Sequence, residues 1–313
     1  MSLLHPTRAA VLGLLTLFAS PAWSLTGARG AALKDWTWPP FIVVPLSVAA
    51  VTYFTGIVKM PWNRTTAKLF SWRTICFTLG LASLVIALDS PIHALGEQLF
   101  WVHMTQHEIL MLVSAPLLVM GEPLLPFLWA LSPAWRQRAA NVMHSQTVKK
   151  GWTLISAPLS AWLLSAFAVW IWHAPWLFDQ TLHSDLIHAA QHTSFLATAL
   201  LFWWPLVKRT SALNYGAGVA YVFTTILHTS VLGALLTFSQ HPWYSAYVTT
   251  APVWGLSALE DQQVGGLIMW IPAGTLLLIV ALVLLVKWIN DSQSRWQYTR
   301  MAELARISAG ESR

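Results

Sequence analysis

Seven apolar runs, at 40–58, 72–89, 99–120, 153–174, 186–207, 217–238 and 264–288, constrain this chain more than any other feature. Each is near the ~20 residues that a helix needs to cross the hydrocarbon core of a bilayer. A backbone in lipid must satisfy its own hydrogen bonds, so runs of this length predict helices. The expected fold is all-α, a polytopic membrane helix bundle with seven transmembrane helices. Composition agrees, because 56% hydrophobic and 10% charged residues lie far outside a soluble profile. The 20 tryptophans match the aromatic enrichment at membrane interfaces. Pro45, Pro116 and Pro158 fall inside runs, where kinks are tolerated if neighbours satisfy the freed backbone groups.

The charges give the bundle an expected orientation. Lys59, Arg64, Lys68 and Arg73 separate the first two runs; Arg136, Arg138, Lys149 and Lys150 separate the third and fourth. Lys208 and Arg209 separate the fifth and sixth, while Lys287, Arg295, Arg300, Arg306 and Arg313 end the chain. The alternate loops, near 90–98, 175–185 and 239–263, contain no Lys or Arg. The positive-inside rule therefore predicts an N-terminus outside and a C-terminus inside. It also explains the net charge of +6 without invoking nucleic acid.

Residues 1–24 read as a signal peptide, with Arg8, an apolar core Ala9 to Phe18, and small residues at Ala22 and Ser24. An uncleaved anchor helix is the alternative, and either leaves 25–39 as a short periplasmic segment. The membrane domain spans 40–289. Leu124 to Lys150 is expected to be a cytoplasmic connection, partly an interfacial helix, and 290–313 a cytoplasmic tail. The single cysteine, Cys76, excludes an intrachain disulfide and any CxxC motif.

Histidines occupy several of these apolar runs, where lipid makes ionisable residues costly and marks them as functional candidates. His103 and His107, and again His188 and His192, stand four apart and so share a helix face. His173 and His228 mark two more runs, and Asp261 heads the last. The expected topology puts these residues in the outer half of the bundle. Imidazole suits copper, zinc, iron and nickel, and a thioether such as Met104 or Met269 favours Cu(I). Asp261 or Glu108 could orient an imidazole instead of binding metal. His93, His183 and His241, in the loops, are expected to be solvated. Binding needs neutral imidazole, so acid should weaken such a site. The absence of a P-loop pattern argues against ATP-driven pumping.

Several blocks carry a family resemblance. HMTQHEILMLVSAPLLVMGEP (103–123), WHAPWLFD (172–179), HAAQH (188–192), FWWP (202–205), LHT (227–229) and DQQVGGLIMW (261–270) follow one another in order. Together they resemble the CtaG-type (caa3-type) cytochrome c oxidase assembly factor family, over about residues 85–290. The resemblance implies a bacterial inner-membrane protein that is not an enzyme and works as a copper chaperone for the oxidase. Its partners would be membrane lipid, cytochrome c oxidase subunits and a periplasmic copper carrier. The family pattern maps onto His103, His107, His173, His188, His192, His228 and Asp261, with Met104 as an added soft ligand. Copper, as Cu(I), is then the expected cargo. A bis-His haem b electron-transfer protein is the competing reading, because paired histidines also ligate haem iron.

Overall fold

The computed structural model describes residues 36–62, 64–208 and 213–310. The expected signal segment 1–24, most of 25–39, Arg209 and Arg313 lie outside these residues. The described chain is helical, with no strand. Two long helices come first, α1 (Pro40–Lys59) and α2 (Arg64–Leu88). Ser90 then caps a short α3 (Pro91–Gly96), its hydroxyl accepting from the Ile92 N–H at 3.2 Å.

The run at 99–120 becomes one continuous span of three pieces: α4 (Phe100–Glu108), a π-helical segment (Ile109–Ser114) and α5 (Ala115–Gly121). Pro116 lacks the N–H that an α-helix would use here, and the chain widens into π-helical turns immediately before it. The widened turn begins two residues after His107. The span stops at Glu122, whose left-handed backbone (φ 45°) turns its carboxylate toward Arg73 at 2.9 Å and Lys208 at 2.6 Å. One carboxylate thus joins three helices at the end opposite the histidines.

Three shorter helices follow, α6 (Leu124–Ala130), α7 (Pro133–His144) and α8 (Gln146–Ile155). None of the α7 residues is buried, and Arg136 and Arg138 lie over Trp129 and Trp135. The run at 153–174 is not one straight helix. α8 meets α9 (Pro158–Trp172) at a 59° bend, because Pro158 holds the preceding Ala157 in extended conformation (ψ 139°). α10 (Pro175–His183), α11 (Asp185–Lys208) and α12 (Tyr215–Thr237) complete the middle of the chain. A long connection containing α13 (Tyr247–Thr250) leads to α14 (Ala258–Gly310). At 53 residues, α14 absorbs both the expected last span and the polar tail, which continues the same helix.

Among the described residues five helices are long and apolar enough to cross a membrane, or six if the bent pair α8–α9 counts as one. This differs from the seven expected. α11 is 24 residues long but less apolar, because one face buries His188, Gln191 and His192.

Close helix approach sets the packing. At Gly266 a Cβ would fall 2.8 Å from the Gly233 carbonyl oxygen and 2.5 Å from Thr237 Oγ1, so α12 and α14 cross at near backbone contact. Its neighbour Gly265 faces the other way, where a Cβ would meet the Phe100 ring at 2.3 Å. One glycine pair therefore admits α12 on one side and the start of α4 on the other. Gly266→Leu should lower the melting temperature of the detergent-purified protein by several degrees. Gly274→Ala, where a Cβ meets nothing within 4 Å, should leave it unchanged or slightly raised in the same thermal melt.

Candidate metal centre

α11 packs against the π-helical segment and α5, and where it diverges from α4 the histidine pairs of the two helices meet ring to ring. The His103 ring packs edge-on against His107 with centroids 4.4 Å apart, and His188 lies 4.3 Å from His192. Across the helix pair, His103 stacks on His188 at 5.1 Å and His107 meets His192 at 5.3 Å. All four side chains are buried. One ligand atom each from His103, His188 and His192 fall within 4.8 Å of one another, close enough to converge on a single ion with modest side-chain rotation. Four nitrogens, Nδ1 and Nε2 of His107 and Nε2 of His188 and His192, are buried without a hydrogen-bond partner among the described residues. An unpaired polar atom in an apolar interior is costly. Lone pairs aimed at a metal ion would remove that cost, so these donors fit a metal.

Neighbouring polar side chains set the rings. Tyr247 donates its hydroxyl proton to the Gly96 carbonyl at 2.9 Å, and its oxygen lies 3.3 Å from His103 Nδ1. Gln191 Oε1 lies 3.2 Å from His103 Nε2 and, as placed, accepts its proton; only with the proton on Nδ1 and the Gln191 amide turned aside does Nε2 offer a lone pair. His173 donates from Nδ1 to the Val169 carbonyl at 2.6 Å, and its Nε2 is buried and unpartnered. The ring stands behind Phe178 and Phe195, which touch His103 and His107 respectively.

Three residues expected at the site lie elsewhere. Asp261 is buried, but its Oδ2 and Oδ1 accept from the backbone N–H groups of Phe100 (2.8 Å) and Trp101 (3.1 Å). It caps the helix that carries His103 and His107, and both oxygens are already engaged. Met104 packs with Phe100, Phe178 and Met269 in an apolar cluster against α14. His228 is only half-buried and accepts from Trp170 Nε1 at 3.3 Å, apart from the four rings. The residue that sequence reasoning passed over is His93, expected to be solvated. Its ring stacks on His188 at 5.2 Å, and its Nδ1 lies 3.1 Å from Gln106 Nε2. Gln106 and Gln191 carry the only available signal: each is a buried amide beside a histidine on the same helix.

Comparison with known proteins supplies the family. The family model of the cytochrome c oxidase caa3 assembly factor (Caa3_CtaG) matches residues 51–291, most of the chain. The chain belongs to that family. It is also similar to uncharacterised proteins of Mycobacterium bovis and Mycobacterium tuberculosis, each 26% identical over 275 residues. A third uncharacterised protein, of Mycobacterium leprae, is 26% identical over 267 residues. These alignments cover 81–83% of this chain but only 39–40% of the relatives, so the chain spans about two fifths of their length. No solved structure matches it. Membership of the Caa3_CtaG family and the run of apolar helices make this a multi-pass protein of a bacterial membrane.

Two carboxylates near the centre have separable roles. Asp261→Ala would leave the buried Phe100 N–H and the part-buried Trp101 N–H at the start of α4 unpaired, a loss of about 1–3 kcal/mol for the buried one and less for the other. Thermal melts should therefore show clear destabilisation, and an unchanged melting temperature would remove the capping role. Asp89, just past the end of α2, is buried with neither oxygen partnered among the described residues. Burial pushes its carboxyl up to about 6, above the ordinary carboxylate value of about 3.9. The stability it contributes is complete below the lower value and is lost as pH rises through the upper one. Asp89→Asn should raise the melting temperature at pH 7.5, with the advantage disappearing by pH 4.5.

Proposed function

We propose that this protein is an assembly factor that binds copper, as Cu(I), at the His103, His107, His188 and His192 cluster and passes it to cytochrome c oxidase. The observation that carries the reading is the convergence of one ligand atom each from His103, His188 and His192, together with nitrogens of His107, His188 and His192 that are buried without a partner among the described residues. Borderline nitrogen donors without a carboxylate suit a copper ion held and released by ligand exchange. His173, with its own unpartnered Nε2 behind Phe178 and Phe195, is a candidate to accept the ion as it moves. Tyr247, at Nδ1, orients His103 and acts without touching the cargo.

In this reading the bundle crosses the membrane seven times, with α11 as a polar-faced span and α8–α9 as a broken one. The N-terminus lies outside and the C-terminus inside. The lysines and arginines of the α1–α2, α5–α9 and α11–α12 connections then face the cytoplasm, and the histidine end faces a periplasmic copper carrier. The oxidase subunit receiving the metal would dock laterally in the lipid. The role is that of a chaperone and not of an enzyme. The competing haem reading is opposed by ring geometry. A bis-His haem needs two imidazoles pointing at each other across a porphyrin plane, whereas these rings pack directly on one another.

His107→Ala or His192→Ala should abolish tight copper binding in the detergent-purified, copper-supplied protein while leaving membrane insertion intact. Tyr247→Phe should weaken binding about 10- to 100-fold, the usual effect of removing a partner that orients a ligand. Elemental analysis with an optical spectrum decides the matter. Unchanged copper content in the histidine variants would remove the proposed site, and a Soret band with stoichiometric iron would establish haem.

A further inference from the structure

A second group of potential ligands lies beside the first and shares one residue with it. His93, Glu97 and His188 each bring one ligand atom within 4.8 Å of the other two. His93 and His188 stack at 5.2 Å with their planes 19° apart, and His93 Nε2 stands 3.8 Å from Glu97 Oε1. These groups line a partly open cavity of about 630 Å³ between α1 and α11, together with Asp185 and His192. Its remaining wall is mostly apolar, including Phe41, Leu46 and Leu196, with Thr37 and Thr193. Exposure falls along the group, from Asp185 and Glu97 at the surface, through the half-buried His93, to the buried His188.

We propose that His93, Glu97 and His188 form a receiving metal site at the mouth of this cavity, from which a copper ion reaches the buried cluster through their shared ligand, His188. The proposal rests on the copper-binding reading given above. Its chemistry follows from charge and donor type. Glu97 and Asp185 place two carboxylates at the mouth, and the segments 89–99, 173–187 and 238–260 at this end contain no Lys or Arg. A cation is therefore drawn to the opening. His93 and His188 then supply borderline nitrogen donors that can hold it. His188 lies in both ligand groups, so the ion can exchange His93 and Glu97 for His103 and His192 without entering the apolar interior bare. That route avoids the large cost of an unpaired charge in low dielectric.

Gln106 fits the same role. Its amide N–H group donates to the Ala87 carbonyl at 2.7 Å and to His93 Nδ1 at 3.1 Å, leaving His93 Nε2 on the Glu97 side. An ion at Nε2 needs the ring proton on Nδ1. As placed, Gln106 donates to Nδ1 and favours the proton on Nε2; once the amide turns over, Gln106 Oε1, unpartnered among the described residues, can accept a hydrogen bond from Nδ1–H and free Nε2 for the ion.

The test uses full-length protein in detergent and Cu(I) supplied anaerobically as its bicinchoninate complex. Stopped-flow absorbance gives the loading rate, and equilibrium competition gives the copper content. The double variant His93→Ala with Glu97→Gln should reach the parental copper content but load at least tenfold more slowly, with a weaker dependence on added salt. The double variant His103→Ala with His192→Ala should retain a weaker, rapidly exchanging copper ion, and adding His93→Ala should remove it. A parental loading rate in the first variant would overturn the receiving site while leaving the buried one standing. Absence of copper from the parent protein and every variant would instead overturn the reading on which the proposal rests.

Discussion

Burying polar nitrogen inside a lipid-embedded helix bundle is the constraint on which the rest of this structure depends. Water is excluded there, so each imidazole nitrogen must find a donor, an acceptor or an ion, or be left at a cost. Four histidines face one another between α4 and α11, and several of their nitrogens find no partner among the described residues. Much of the surrounding architecture holds these two helices in register. α4 is capped at its first residues by Asp261 of α14, and Gly265 makes room for Phe100 beside that cap. One turn of α14 therefore anchors the start of the helix that carries His103 and His107, and Gly266 in the same turn admits α12.

The same region shows how a polar frame can fix ring orientation without joining the metal group. Tyr247 comes from the long connection before α14, Gln191 from α11 and Gln106 from α4 itself. Each presents a neutral hydrogen-bonding group to one face of a histidine. Neutral partners set the tautomer without adding a charge that would compete for a cation. Among the carboxylates at this end, Asp261 caps backbone, and Glu97 and Asp185 line the cavity mouth. At the far end of the bundle the pattern reverses, and Glu122 is held between Arg73 and Lys208.

The π-helical segment after His107 connects these two ends. Pro116 requires a local departure from α-helical bonding, and the chain places it next to the site instead of at a loop. Widened turns of this kind recur at functional sites because they re-aim the side chains around them. Here His107, at the last turn before the widening, has neither ring nitrogen bonded and lies 4.6 Å from Phe195. Its partners across the helix pair are therefore other imidazoles and apolar rings.

The sequence by itself determined the fold class, most helix positions and the pairing of His103 with His107 and His188 with His192. Hydrophobic run length and four-residue spacing are local properties, written into consecutive residues. It also marked the Pro116 and Pro158 irregularities, though not their form: a π-helical widening in one case and a 59° break in the other. Only the tertiary structure decided which histidines meet. His93 looked like a loop residue because its partners, Gln106 and His188, lie 13 and 95 positions away. Asp261 looked like a ligand because a carboxylate at the head of an apolar run gives no sign that another helix's N–H groups will occupy it. His228 shared the character of the others but faces Trp170 across α9 and α12, a direction set by how the helices rotate against one another. Helix rotation and packing neighbours depend on the whole bundle, and no local pattern encodes them.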